Sequence, residues 1–506
     1  MMMTIPLRQV ALAALALLAL VSFGGAPAAA QSLTVALNHE PSTLDLTSTR
    51  DSPSVRPIME NIVESLWGID PNGNMVPTLA TWTVSADGKV IEFKLRPGVT
   101  FHSGDALTAR DVIFSHQRSL EKAPQYVRRG RLLDRVEAVD DLTVRFVFKE
   151  YDAGFIPARQ LFIVSKTYYD RVGEREFLDH PVGTGPYRFV GYQPGQSLDV
   201  EAFADYWGDK PQVQKARFVI IKDDSTRIAK LRAGEVDVIM NTAYASVEEI
   251  RRAGFKTASV SVHPTMSVQF PFANPKAPWA DRRVRQAIAY AIDGNAIVNG
   301  LLQGIPTRYA RLAPGELGYD PEIKSYSYDP ALARKLLAEA GYPNGFQVDM
   351  SYWAGTYQGG RETAEAVTLY LKAIGIHTKV QGLDSGQMME TLRKSRTDEN
   401  VSRIFISAMP MANVDPIEAF IAYYSKNTFS VYVNESFDRQ YELAMSEPDS
   451  EKRVGYIREA VRIMHEDVAT VPIWNTVAVY AMKPSVDYTP TQRTFPLMYL
   501  KHVKVR

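Results

Sequence analysis

Residues 181–240 read PVGTGPYRFVGYQPGQSLDVEAFADYWGDKPQVQKARFVIIKDDSTRIAKLRAGEVDVIM, and this stretch decides the fold. Gly183, Gly185 and Pro186 set up a turn, after which Tyr187 to Val190 extends. Pro194 and Gly195 suit the centre of a type II turn, since proline presets φ and glycine accepts a positive one. A second strand carries Leu198, Val200 and Ala202 at period two. Arg217 to Ile221 is almost wholly apolar and reads as a third strand, buried on both faces. Ser225 is placed to cap the next helix and Gly234 to end it in the left-handed region. Val236 to Met240 then returns as a buried strand, so the unit is β-β-β-α-β. It holds no nucleophile and no metal-ligand spacing, which makes it scaffold.

Several segments of the chain carry longer signatures. GTGPY, the following PG, DYWG and AGEVDV come from the opening stretch. LRPGVTFHSGDALTARDVIFS occupies 95–115, and PWADRRVRQAIAYAID occupies 278–293. Together they resemble family 5 extracytoplasmic solute-binding proteins, the peptide-, opine- and nickel-binding components of bacterial ABC importers. The resemblance covers essentially the whole chain after residue 30. It implies an α/β architecture of two lobes, with an extra subdomain inserted in lobe I. It places the lobe I core at 31–63, 181–265 and 480–506, the inserted subdomain at 64–180, and lobe II at 266–479. It implies a small-molecule or short-peptide ligand held between the lobes, delivery to an inner-membrane ABC permease, no cofactor and no enzymatic activity.

The rest of the chain is consistent with that implication. Arg8, the apolar run Val10 to Phe23 and Ala28-Ala29-Ala30 have the order of a cleavable secretory signal peptide, predicting residues 1–30 as leader and a periplasmic location. The run is too short to span a bilayer. There is no cysteine, which excludes disulfides, thiol catalysis, CxxC zinc sites and a lipidated cysteine anchor. Lys and Arg total 57 against 57 for Asp and Glu, so nothing in the net charge points to nucleic acid or an anionic membrane surface. The expected state is a monomer.

Taken in order, Leu33 to Leu37 is a first strand, and STLD at 42–45 resembles the family's LDP turn with Leu46 in place of proline. Asp87-Gly88 closes a hairpin. Ser259 to Asn274 and Trp474 to Lys483 are extended and are expected to cross between lobes. Asp281 caps a helix whose Val284, Ala287, Ile288, Ala291 and Ile292 share one face, leaving Arg282, Arg283 and Arg285 solvated. Asp329-Pro330 starts another helix. The alternation of strands and helices predicts mainly parallel sheets.

No catalytic constellation emerges. The eight histidines are scattered, without HExxH spacing, and GxSxG and Walker A loops are absent. A secreted hydrolase would need a nucleophile and a base that this sequence does not pair. A nickel or metal-chelate binder remains the alternative within the family. The resemblance carries ligand contacts to Arg50, after the LDP-like turn, to Asn241 and Thr242, after GEVDV, and to Trp474 in the returning strand. Asp415, before Pro416, matches the end of the peptide binders' W-x-x-D-x-x-D-P pattern. Ala412 replaces the aspartate that pairs with a peptide amino group, Met409 replaces the tryptophan, and Ala354 stands where the dipeptide branch holds the carboxylate with arginine. Losing a buried ion partner costs about 3–5 kcal/mol, so a free dipeptide held at both ends is disfavoured. Trp353, Tyr357, Met409, Asn413, Tyr423 and Tyr424 are expected to leave an aromatic, weakly charged pocket.

Overall fold

The computed structural model describes residues 31–48, 54–70, 74–122, 132–158, 160–354, 357–398, 403–409, 415–427, 430–491 and 496–506. The predicted leader and Arg50 therefore lie outside the described residues. In chain order the strands of the first half are β1 (Ser32–Leu37), β2 (Trp67–Ile69), β3 (Met75–Pro77), β4 (Ala80–Val84), β5 (Val90–Leu95), β6 (Leu133–Asp140), β7 (Thr143–Phe148), β8 (Tyr187–Gln193), β9 (Ser197–Ala202), β10 (Lys215–Ile220) and β11 (Val238–Ile239). They are followed by β12 (Lys256–Gln269), β13 (Phe346–Trp353), β14 (Ile376–Leu383), β15 (Arg403–Met409), β16 (Thr470–Met482), β17 (Val486–Asp487) and β18 (Lys504–Val505).

Ten of these strands form one sheet, ordered β14-β13-β15-β12-β16-β11-β1-β10-β9-β8. The two long strands β12 and β16 run antiparallel through its centre, from Lys256 opposite Met482 to Gln269 opposite Thr470. At one end β16 borders β11, and at the other β12 borders β15, so these two strands join the lobes into a single ladder. At about 3.3 Å per residue, β12 with its 14 residues reaches roughly 45 Å. Every residue of β16 is buried. The expected crossings are thus present as β12 and β16.

The expectation of mainly parallel pairing is not met. Strands β1 and β13 pair parallel with both of their neighbours. The remaining neighbours, β8 with β9, β9 with β10, β11 with β16, β16 with β12 and β12 with β15, are antiparallel. The cause is topological: β8 to β10 form a meander joined without a crossover helix, and the two crossing strands run in opposite directions.

The β-β-β-α-β unit of the opening stretch is present, with two corrections. Strand β10 is buried on one face only. Its Lys215 and Arg217 are exposed, and Arg217 bonds Asp199 across to β9 at 2.7 Å. Sharing the outer face of an antiparallel meander with water explains this alternation. The helix Asp224–Arg232 is capped by Asp223, whose carboxylate accepts from the Thr226 N–H at 2.7 Å, rather than by Ser225. Gly234 ends the helix at φ 77°, as expected.

Lobe I is built around Val35, Tyr187, Phe218, Tyr480 and Met498. A separate four-stranded sheet, ordered β4-β5-β7-β6, packs Phe93, Phe101, Phe146 and Trp67 into its own core. Lobe II centres on Met266, Trp279, Ile288, Ile404 and Trp474. In the helix Arg282–Ala291 the expected apolar face is buried, but Arg285 is buried with it. Its guanidinium donates to the Trp279 and Asp467 carbonyls at 2.8 and 2.7 Å and lies 4.7 Å from the Phe272 ring centre. It is a structural tie between this helix and the residues before β16, so the expectation of a solvated side chain fails for this one of the three arginines.

The glycines of GTGPY have a packing reason. A Cβ on Gly183 would stand 2.1 Å from the Ile62 carbonyl oxygen, and one on Gly185 would stand 2.5 Å from that of Asn61. This close approach lets the Gly185 and Tyr187 N–H groups bond the Ile62 and Asn61 carbonyls at 2.9 and 3.0 Å. Between the glycines, Thr184 donates to buried Glu64, which also accepts from Tyr206 and Trp207 of the DYWG segment. Burial raises the Glu64 carboxyl above its usual range despite these bonds. His102, of the FHSG segment, closes the set. One ring nitrogen contacts the Gly185 carbonyl at 2.9 Å, and the Gly183 N–H approaches the other at 3.4 Å. That pattern suits a neutral imidazole, and burial pushes its pKa down to about 4. Three of the signatures therefore converge on one junction.

Candidate functional site

The lobes meet where the chain leaves β11. Asn241 adopts a left-handed φ of 53°, which asparagine tolerates better than most residues, and turns the chain toward β16. The Thr242 N–H donates to Val479 of β16 at 2.9 Å. The Thr242 side chain is buried, and its hydroxyl has no hydrogen-bond partner. Tyr244 then crosses to the second lobe: its hydroxyl donates to the Val477 carbonyl at 2.7 Å, and its ring lies edge-on to Trp474 at 6.2 Å.

Two further bonds close the gap between lobes. Gln358 of lobe II donates to the Asn241 carbonyl at 3.1 Å. On the rim, the Ala153 N–H, next to the four-stranded subdomain, donates to Met445 in the helix Glu435–Ser446 at 3.0 Å. These bonds tie lobe II to the Asn241 turn and to the residues beside the four-stranded subdomain.

The residues singled out in the sequence fall into separate places. Asn241 and Thr242 are at the junction just described. Trp353 and Tyr357 lie together beside it at the end of β13, edge to face at 6.4 Å and both half-buried. The Trp353 indole donates to Ser407 of β15 at 2.9 Å, and burial pushes the Tyr357 hydroxyl up to about 12. Trp474 is fully buried in the lobe II core and donates to Thr363 at 3.0 Å, so it packs behind the junction and does not face it. Met409 is the last residue of β15, opposite Thr265. Asn413 lies outside the described residues, as does Ala412.

Asp415 is buried, ion-paired with Arg453 at 2.7 Å, and accepts from the Ile417 N–H at the start of the helix Ile417–Phe420. Both carboxylate oxygens are therefore engaged inside lobe II. Tyr424 turns away from the lobe junction, bonding Glu442 and packing on Tyr441 at 4.7 Å. Tyr423 is buried and lines a small cavity of about 20 Å³ with Thr265, Ser267, Arg311, Phe420, Thr470 and Pro472.

Sequence reasoning missed Gln358, Tyr244 and Arg311. Gln358 stands one residue past Tyr357, and the helix that follows it is capped by Gly359 at φ 72°. A Cβ there would come within 2.8 Å of Leu302, so the glycine is what lets this turn sit against the lobe. Arg311 falls in a segment without periodicity, where nothing in the local pattern separates a buried arginine from an exposed one. Among the described residues no three His, Asp or Glu side chains gather as metal ligands.

The fold and this junction define a class: a two-lobe α/β binding protein whose lobes, joined by crossing strands, close on a solute. The sequence matches the profile of bacterial extracellular solute-binding proteins, family 5 middle, over residues 74–430. It is 30% identical over 479 residues to the dipeptide-binding protein of Escherichia coli K12, covering 87% of each chain. It is 30% identical over 449 residues to heme-binding protein A of Haemophilus influenzae, covering 81% of this chain and 80% of that one. Among solved structures, the binding protein AgaA of A. tumefaciens R10, in complex with agropinic acid, superposes with a TM-score of 0.77 at 26% identity, over 94% of this chain and 99% of that one. The chain belongs to family 5 of the bacterial extracellular solute-binding proteins. It is a non-enzymatic component that captures a small ligand and delivers it to an ABC transporter.

Proposed function

We propose that the ligand is a peptide- or opine-sized organic solute, enclosed at the lobe junction between the Asn241–Tyr244 turn and the Trp353–Gln358 segment. The observation that carries this reading is the Gln358 bond to the Asn241 carbonyl, placed beside the Trp353 and Tyr357 rings. A solute touching both sides binds the closed form more tightly than the open one, which is what converts binding into closure. Aromatic faces suit an organic ligand, with a few polar groups to fix its orientation.

Ala354 and Ala412 stand in place of the charged anchors that hold a free dipeptide at its two ends, so a blocked, branched or conjugated solute fits better. Residues 1–30 would be removed on export, leaving a periplasmic monomer that works with an inner-membrane permease. In this division the solute lies between lobe I, with 64–180 as its inserted subdomain, and lobe II at 266–479.

The test is a thermal-shift panel of peptides, opines, glutathione conjugates, heme and metal chelates, with native mass spectrometry of untreated protein to catch a co-purified solute. A solute present at 100 times its Kd stabilises the protein by about 2.7 kcal/mol. Stabilisation by an organic solute without turnover supports the reading. Stabilisation by metal chelates alone moves the protein to the family's metal-binding side.

A further inference from the structure

Arg311 is buried; its guanidinium donates to the Thr470 hydroxyl at 2.8 Å, lies 5.9 Å from the Tyr423 ring centre and reaches that residue's phenol oxygen. Its Nε and one of its terminal nitrogens have no partner. Among the described residues it forms no ion pair. The carboxylate that shares its surroundings, Asp467, is already engaged: it receives the Arg285 guanidinium, the Tyr432 hydroxyl at 3.0 Å and Asn434 at 3.2 Å. A buried guanidinium is normally matched by an acid or by several carbonyls, as Arg118, Arg285 and Arg453 are in this chain. Arg311 differs from these three in having no carboxylate partner among the described residues, and it lines the cavity described above.

The chemistry of that cavity is one-sided. Thr265, Ser267 and Thr470 bring hydroxyls, Tyr423 a phenol and Arg311 its fork, while none of the lining residues is acidic. A volume of about 20 Å³ admits one oxygen-sized group, so the cavity takes the end of a ligand and not its body. The site lies where β15 ends, with Met409 opposite Thr265, and Tyr423 of the expected pocket is part of its lining. It is separate from Ala354, where the dipeptide branch places its carboxylate-binding arginine.

We propose that Arg311 is the specificity residue of this protein, and that it reads a carboxylate on the solute. The inference rests on the reading of the chain as an organic-solute binder. It adds that the solute is acidic, and that the anionic end is held in lobe II by Arg311 with Thr265, Ser267 and Tyr423 as secondary contacts. The cavity admits one oxygen of that carboxylate, to which the guanidinium fork offers more than one N–H donor, a geometry lysine cannot reproduce.

The experiment uses the mature protein and its Arg311→Met and Arg311→Lys variants. Each is melted without ligand. Each is then titrated calorimetrically with short peptides and N-carboxyalkyl amino acids, alongside the carboxamide of each compound. The expected result has three parts. Ligand-free Arg311→Met melts at or above wild type, because an unmatched buried charge has been removed. Its affinity for the acids falls ~100-fold while that for the amides changes less than about threefold, and Arg311→Lys falls between the two. A ligand-free Arg311→Met that melts below wild type makes Arg311 a structural residue and overturns the proposal. So does equal loss for acid and amide, or a wild type that binds amides as tightly as acids. If wild type binds none of these organic solutes, the reading of the protein as an organic-solute binder fails instead, and the ligand-free melts still decide whether Arg311 is structural.

Discussion

The junction around Gly183 in lobe I and the cavity around Arg311 in lobe II are both buried and both polar, but they are satisfied to different degrees. At the first, Glu64 accepts from Thr184, Tyr206 and Trp207, and both nitrogens of His102 face a backbone partner. Asn61 is similarly complete: its amide donates to the Pro57, Ile58 and Met498 carbonyls, and its oxygen accepts from the Leu500 N–H. At the second, a guanidinium nitrogen pair and a neighbouring hydroxyl-lined space remain unmatched. Saturated polar groups fix one geometry and so build a scaffold. On the proposal above, the unpartnered nitrogens of Arg311 are matched when a ligand arrives. The two regions therefore differ in hydrogen bonding although both are buried.

The comparison can be broken most directly at Gly183. With a Cβ 2.1 Å from the Ile62 carbonyl, Gly183→Ala has to displace backbone, and we expect a loss of about 4 kcal/mol or more, read as loss of soluble protein or a large fall in the urea midpoint. A Gly183→Ala protein of near wild-type stability would mean that the junction yields and is not framework.

A smaller effect comes from pH. The His102 imidazole has an ordinary value of 6.5 and is held at about 4 in the folded protein by burial, so the unfolded chain binds the extra proton first. Its contribution is therefore complete above pH 6.5 and is lost as pH falls from 6.5 toward 4. We expect a decline on the order of 2 kcal/mol across that window, allowing for partial exposure of the ring. Urea melts at stepped pH should show this slope in wild type and a flatter one in His102→Gln.

The smallest effect belongs to the recognition side. Gln358→Ala removes one neutral bond across the cleft, worth about 1 kcal/mol. Ligand affinity should fall about fivefold in calorimetry, with the ligand-free melting temperature unchanged. A fall in that melting temperature would place Gln358 with the framework instead.

The same distinction explains what could be read from the sequence. Turns and glycines announced the lobe I unit, because Gly195 and Gly234 take the positive φ values that their positions require. Helix caps such as Asp281 and Asp329 were equally legible, since capping is local. Arg285 and Arg311 were not. A charged residue in a helix of charged residues, or in an irregular segment, reveals its burial only through partners far along the chain, Asp467 and Thr470 here. Asp415 matched a ligand-binding pattern by position, but its pairing with Arg453, 38 residues on, could not be read from spacing. Strand direction failed for a related reason: periodicity identifies a strand and says nothing about which way its neighbour runs.

The crossing strands also determine how the protein can move. Their ladder is interrupted between Ser261 and Thr265, where side chains bridge instead: Asn475 donates to the Thr265 hydroxyl at 2.9 Å and Thr476 to the Val262 carbonyl at 3.3 Å. Strain applied by one lobe on the other will concentrate there, because torsion at that point breaks the fewest bonds between β12 and β16. From Lys256 to Ser261 the strands keep one register, and beyond Thr265 they pair again with a second shift between Met266 and Ser267. Rotation about this joint leaves the ladder from Lys256 to Ser261 intact, whereas sliding along it would break each of those bonds, so closure by rotation returns the same faces to each other. A transporter that docks on the closed form would meet one shape, set by the strands and not by the cargo.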